Sequence, residues 1–186
     1  MTEKAKMLAG ELYQPGEEQL KQERKRAKQL CQQLNQSAPD DQDLRSTILK
    51  QLLGKISTAN VESNFLCDYG YNIELGDNFF ANHNCIILDC APVKIGDNVM
   101  FGPNVTLSSA GHPLDAPTRI TGLEFAQPIT IGDNVWLGAN VTINPGVSIG
   151  DNVVIGSGSV VTRDIPANVV AAGVPCRVIR ELEQAT

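Results

Sequence analysis

Several features are scarce in this 186-residue chain, and each scarcity closes off a class of function. Its five cysteines (Cys31, Cys67, Cys85, Cys90, Cys176) are odd in number, widely spaced and free of any C-x-x-C pair, so neither a disulfide framework nor a zinc knuckle is indicated. Most of them read as small buried hydrophobes, because only two histidines, His83 and His112, exist to activate one. Basic charge is also short: the formal net charge of -6 provides no overall field for nucleic acid or for an anionic membrane surface. No apolar run approaches the roughly 20 residues that cross a bilayer. The opening MTEKAKMLAGELYQPGEE lacks the apolar centre of a secretory signal, so the cytoplasm is the expected compartment. The length suits one core with a small appended element, not two ordinary domains.

What the chain does have is a repeat. From Ile131 it reads IGDNVW, LGANVT, INPGVS, IGDNVV, IGSGSV, VTRDIP, with an aliphatic residue opening each hexad at 131, 137, 143, 149, 155 and 161. The fifth position is regular as well: Val135, Val141, Val147 and Val153 precede Ser159 and Ile165. A period of six matches neither a helix nor a long alternating strand; it matches a solenoid in which each hexad makes a short strand and a bend. Glycine, aspartate and asparagine between the apolar positions supply the turns, and successive coils are expected to stack about 4.8 Å apart.

The same phase holds upstream in IGDNVM from Ile95, FGPNVT from Phe101, and Leu107. The 24 residues from Leu107 to Ile131 are four hexads, so the stretch between them keeps register. That stretch, 108–128, loses the pattern, carries Gly111, Pro113, Pro117 and Gly122, and reads as a functional loop thrown out of the solenoid. A looser run, LGDNFF, ANHNCI and ILDCAP from Leu75, is two residues out of phase, which a short insertion near Pro92 explains. The first third is helical in pattern. EEQLKQERKRAKQLCQQLN places Leu20, Ala27, Leu30, Cys31 and Leu34 on one face, and its basic run, mixed with glutamate and glutamine, reads as a solvated surface. DQDLRSTILKQLLG places Leu44, Ile48 and Leu52 on one face, with Asp40 or Asp41 as N-cap and Gly54 as the end. The expected organisation is a helical segment over 1–55 that caps a solenoid over 56–186, with a helical tail at the C-terminus.

MLAGELYQPGEEQL, CDYGYNIELGDNFFANHNCIILD, GHPLDAPTR, PITIGDNVWLGANVTINPGVSIG and VVTRDIPANVVAAGVPCRVIREL together resemble the hexapeptide-repeat acyltransferases, in particular the maltose and galactoside O-acetyltransferase branch. The resemblance covers nearly the whole chain. It implies a left-handed parallel β-helix, an all-β-dominated fold, assembled as a homotrimer with sites at subunit interfaces, and transfer of acetyl from acetyl-CoA to a sugar hydroxyl. Two histidines argue against the carbonic anhydrases that share the solenoid, which bind zinc through three, so no metal is expected. Two departures stand out. Tyr13 is followed by Gln14-Pro15 where the branch carries an aspartate-proline pair, and Ala139 stands where some relatives have serine.

A sugar hydroxyl needs a base before it attacks a thioester. On residue type alone His112 is either that base or a surface histidine of the loop, and the resemblance makes it the base. Asn82 is assigned to the acceptor, with His83 beside it a bystander. Asp68 and Asp89 are candidate partners of sugar hydroxyls, with turn residues as the alternative. Glu124 is expected to orient His112 or the sugar, and Arg119 to pin the loop through ion pairs. For acetyl-CoA the resemblance points to the Ala139 N–H at the thioester and to Ser157, Thr162 and Arg163 along the pantetheine and adenine. Arg177 and Arg180 are candidate partners of its phosphates, with a basic helix face as the alternative. Trp136, outward-facing, either packs on the pantetheine or fills a subunit interface. The transfer is expected to be direct, with no acyl-enzyme, since no serine or cysteine is set beside a base. Competing readings are another alcohol or amine acceptor and a catalytically silent trimeric scaffold.

Overall fold

The computed structural model describes residues 1–183. Three helices open the chain: α1 (Glu3–Leu8), α2 (Glu18–Gln36) and α3 (Gln42–Leu52). Helix α2 starts where the Glu17 side chain accepts the Leu20 N–H, and it buries Leu20, Ala27, Leu30, Cys31 and Leu34, the face expected from the spacing. In α3 the N-cap is Asp41, but the helix ends at Leu52, and the inward face is Arg45, Ile48, Leu49 and Leu52. Leu44 is 45% exposed, contrary to expectation. The correction has a physical cause: Arg45 is at i−3 from Ile48, and its guanidinium ties the end of α2 to the first coil. Its guanidinium donates to Leu34 O at 3.1 Å, Ser37 Oγ at 2.8 Å and Val61 O at 2.5 Å.

Beyond the helices the chain winds as a three-faced parallel β-solenoid. Face one pairs Lys55–Ile56, Ile73–Leu75, Val93–Ile95, Ile129–Ile131 and Ser148–Ile149 in that order. Face two pairs Ala59–Val61, Phe79–Ala81, Met100–Phe101, Trp136–Leu137, Val154–Ile155 and Val169–Gly173. Face three pairs Leu66–Cys67, Ile86–Leu88, Thr106–Ser108, Thr142–Ile143 and Val160–Val161. Every opening residue of the hexads from 131 to 161 is buried, as is every fifth position from Val135 to Ile165. The helical cap shares this core: Leu30, Leu34 and Leu52 join Phe65, Cys67 and Phe79 in one cluster, and Cys31 Sγ lies 3.6 Å from Cys67 Sγ.

The Gly-Asp-Asn triplet is explained at the edge between faces one and two. A Cβ on Gly132 would lie 2.2 Å from Asp151 Oδ1 of the next coil, so the rungs close only over glycine. The aspartates accept from one another's main chain: Asp77 N to Asp97 Oδ1 at 2.6 Å, Asp97 N to Asp133 Oδ1 at 2.7 Å, and Asp133 N to Asp151 Oδ1 at 2.8 Å. The asparagines take the bend in the left-handed conformation, with φ from 53° at Asn152 to 67° at Asn64. Their amides form ladders, Asn78 to Asn98 to Asn134 on this edge and Asn64 to Asn84 to Asn104 on the edge between faces two and three.

Outward residues distinguish the faces. Face one shows Lys55, Glu74, Lys94, Thr130 and Ser148 in register. Face two shows Phe80, Met100, Trp136, Val154 and Val170. Face three begins with Leu66 and Ile86. Leu66, Met100 and Trp136 are each about half exposed, at 49%, 50% and 51%. The last coil is closed by a strand, Cys176–Glu181, antiparallel to Val169–Gly173. This corrects the helical tail expected there: CRVIRE places β-branched residues beside an open sheet edge, and pairing satisfies that edge.

Candidate active site

The third edge, between faces three and one, carries the irregularities. From rung to rung of face one the chain advances by 20 residues from Ile73 to Val93, by 36 from Val93 to Ile129, and by 18 from Thr130 to Ser148. The two extra residues of the coil that ends at Val93 lie at the Asp89–Pro92 corner, where the phase shift pointed, and the 108–128 loop leaves from the same edge one coil later. Its limbs pair as Ala110–Gly111 against Phe125–Ala126, and a short helix, Ala116–Arg119, caps on Asp115. Arg119 pins the loop through main-chain oxygens, Leu114 at 2.9 Å and Pro113 at 3.3 Å, in place of the ion pairs expected.

Asp89 is fully buried. Its Oδ1 accepts the N–H groups of Tyr69 at 2.8 Å and Asp68 at 3.1 Å, and its Oδ2 accepts that of Asn72 at 3.3 Å. Burial raises its pKa, the Tyr69 N–H draws it back and the Asp68 charge adds to the rise, leaving it at about 7. This carboxylate holds the corner, the turn role that stood beside sugar binding as a reading of Asp89. Asp68 is partly exposed, and its Oδ2 lies 3.5 Å from Cys90 Sγ. Burial pushes the Cys90 thiol up, away from reactivity. Ser109, fully buried, donates to Leu88 O at 2.7 Å and accepts the Ala91 N–H at 2.8 Å, fixing the takeoff of the loop.

His112 follows the outgoing limb. Its Nδ1 lies 3.0 Å from Leu123 O, and its Nε2 lies 3.9 Å from Glu124 Oε1. The other carboxylate oxygen, Oε2, accepts the hydroxyl of Tyr13 at 2.7 Å. Sequence reasoning used Tyr13 only as a landmark; nothing in its spacing ties it to a residue 111 positions away.

The remaining expected residues lie elsewhere on the prism. Asn82, Ala139 and Ser157 occupy the edge between faces two and three, and Asn82 Oδ1 accepts the His83 N–H at 2.8 Å. His83 is exposed, with Nδ1 3.2 Å from Ser63 Oγ. The Ala139 N–H expected at a thioester donates here to Ser157 Oγ at 3.1 Å. Trp136 projects from face two, Thr162 and Arg163 lie on the third edge at the last coil, and Arg177 and Arg180 lie on the closing strand. One chain therefore carries His112, Glu124, Tyr13 and Asp68 on one edge and Asn82, Ala139 and Ser157 on another.

Family models match in the same order along the chain: the maltose acetyltransferase hexapeptide capping motif over residues 6–57, a hexapeptide repeat of succinyl-transferase over 92–111, and the bacterial transferase hexapeptide over 128–163. Galactoside O-acetyltransferase of Escherichia coli K12 is 50% identical over 98% of this chain and 89% of its own. The crystal structure of a maltose O-acetyltransferase from Clostridium difficile 630 superposes with a TM-score of 0.97 at 54% identity, over 99% of both chains. The chain belongs to the maltose and galactoside O-acetyltransferase family of hexapeptide-repeat proteins. A galactoside acetyltransferase in complex with coenzyme A superposes with a TM-score of 0.93 at 48% identity, over 98% of this chain and 92% of that one.

Like its family, the protein is an acyltransferase that uses acetyl-CoA, which sets aside the silent scaffold. The donor set fits that co-substrate. Among the described residues Arg163, Arg177 and Arg180 have no carboxylate within 4 Å, which leaves three cations for phosphates. Among the described residues no group of three or more histidine, cysteine, aspartate or glutamate side chains converges to hold a metal ion, and no helix is long and apolar enough to cross a membrane.

Proposed function

We propose that this enzyme transfers acetyl from acetyl-CoA to a hydroxyl of a sugar of the glucose, maltose or galactoside type, with His112 as general base. The observation that carries the reading is the Nδ1 contact with Leu123 O, because it leaves Nε2 as the unprotonated nitrogen, on the side of Glu124. Nε2 takes the proton as the sugar oxygen attacks the thioester carbon. The carbon–sulfur bond then breaks, and the imidazolium returns its proton to the departing coenzyme A thiolate. Main-chain donors near Ala139 steady the tetrahedral oxyanion, for which Ser157 Oγ must release the Ala139 N–H. Asp68, Asn82 and Glu124 hold the acceptor. Trp136, Thr162 and Arg163 line the pantetheine and adenine, and Arg177 and Arg180 meet the phosphates.

The working enzyme in this reading is a homotrimer. A site split between two edges of one prism is completed when the His112 edge of one copy meets the Asn82 edge of the next. The half-exposed Leu66, Met100 and Trp136 on faces two and three, against the charged face one, favour such packing. Five free, buried cysteines suit a reducing compartment, the cytoplasm. The deciding experiment is a thiol-release assay with acetyl-CoA and glucose, maltose or a galactoside. Release of coenzyme A that depends on the sugar is expected; release with an amino group or a non-sugar alcohol alone would replace this acceptor class.

A further inference from the structure

The position of Glu124 is not set by the solenoid. The residue lies on the returning limb of the loop, just before Phe125–Ala126, and what fixes it comes from the far end of the chain. Tyr13 and Glu124 exchange both main-chain hydrogen bonds, Tyr13 N to Glu124 O at 3.0 Å and Glu124 N to Tyr13 O at 3.1 Å, as an isolated antiparallel bridge. The Tyr13 hydroxyl then donates to Glu124 Oε2 at 2.7 Å. Its ring is fully buried in a small cluster with Met7, Leu20, Tyr69 and Cys90.

The segment that carries Tyr13 is itself tied down. Arg24 donates to Pro15 O at 2.5 Å and to the Tyr69 hydroxyl at 2.6 Å, and the Gln14 N–H donates to Glu3 Oε2 at 2.6 Å. Gly10, at φ +75°, passes so close to the loop limb that a Cβ there would lie 3.3 Å from Ala126 O. Burial raises the Tyr13 pKa, so the phenol stays a hydrogen-bond donor through the neutral range.

We infer that Tyr13 is a positioning residue of the acetyl transfer: by holding one oxygen of Glu124 it presents the other beside His112 Nε2. There the carboxylate favours the imidazolium that forms as the proton is taken, and offers an acceptor to the sugar hydroxyls. The N-terminal segment thus does more than cover the end of the solenoid. This inference rests on the reaction proposed above.

The test is Tyr13→Phe, which keeps the buried ring and removes only the hydroxyl. The expected result is a fall in kcat of about tenfold, with KM for acetyl-CoA and for the sugar each within about twofold and Tm nearly unchanged. In a Glu124→Ala background the same substitution is expected to cost nothing further, because the group it acts through is gone. Full turnover in Tyr13→Phe overturns the assignment. So does a loss that persists undiminished in Glu124→Ala, or one accompanied by a marked drop in Tm, since either places the hydroxyl in the fold instead. His112→Ala run alongside separates the two levels: if it is inactive while Tyr13→Phe is normal, the role of Tyr13 alone fails, and if it is active, the proposed reaction fails with it.

Discussion

His112 Nδ1 lies 3.0 Å from the main-chain oxygen of Leu123, and a carbonyl oxygen can only accept. The proton of the neutral ring therefore sits on Nδ1, and the lone pair sits on Nε2 beside Glu124. The contact also joins the two limbs of one loop, so the ring orientation is set within residues 112–123 and does not draw on the solenoid core.

Replacing His112 with alanine tests the base directly. The side chain is half exposed and outside the hexad pattern, so assembly and Tm are expected to stay nearly unchanged. Steady-state kinetics should show kcat lower by about 10²–10⁴-fold, with little change in KM for acetyl-CoA. His83→Ala, on a separate edge, should retain most of the activity against small acceptors. Near-normal turnover by a correctly assembled His112→Ala enzyme would remove the proposed mechanism.

The corner carboxylate gives a stability signature. Folding moves the Asp89 pKa up from its ordinary 3.8 to about 7. Between those values the unfolded chain has lost the proton and the folded protein keeps it, so the contribution of Asp89 to stability falls as pH rises from 4 to 7 and levels off above that. Denaturation at a series of pH values, comparing the natural protein with Asp89→Asn, should show the natural protein losing stability relative to the variant across this window. Asp89→Ala leaves three N–H groups without an acceptor and is expected to cost about 2–4 kcal/mol at any pH in the range. Equal pH slopes for Asp89→Asn and the natural protein would contradict the assignment.

Cofactor binding has a salt signature. With Arg177 and Arg180 both changed to alanine, KM for acetyl-CoA should rise about tenfold while KM for the sugar holds, and the difference should shrink as ionic strength increases. A matched rise in both constants would assign the arginines to the closing strand.

Assembly can be read from mass. Light scattering should give about three times the 20.0 kDa of one chain. Met100→Glu puts a charge on the apolar stripe of face two and is expected to lower both the mass and the activity, because His112 and Asn82 then lose the copies that complete their sites. A trimer of unchanged activity in this variant would exclude face two from the interface.

The solenoid was legible in the sequence because its period writes each buried position directly: every residue from Ile131 to Ile165 that opens a hexad or stands fifth in one is buried. The loop was legible for the opposite reason, as the place where that period stops. Side-chain roles inside the cap and the corners were less so. Arg45 took an inward position that hydrophobic spacing gave to Leu44, because there its guanidinium donates to the main-chain oxygens of Leu34 and Val61. Asp89 read equally as a sugar ligand or a turn residue, and only the three N–H groups that converge on it in space show the turn role. The closing strand looked helical because an open sheet edge waiting for a partner leaves no mark on local pattern. Tyr13 was invisible as a site residue because its partner is far away in sequence.

The asparagine ladders bear on how the protein ages. Aspartate accepts the left-handed bend nearly as readily as asparagine, so conformation alone would allow either at Asn78, Asn98 and Asn134. The ladder does not at the first two: Asn78 Nδ2 donates to Asn98 Oδ1 and Asn98 Nδ2 donates to Asn134 Oδ1, and a carboxylate only accepts. Loss of ammonia from one of these side chains would put a fixed negative charge one residue from the existing column of Asp77, Asp97 and Asp133, with like charges repeating at the spacing of the rungs. Chemical wear of this solenoid should therefore act as a slow electrostatic unzipping that starts along one edge, and storage under conditions that hydrolyse amides should weaken the protein there first.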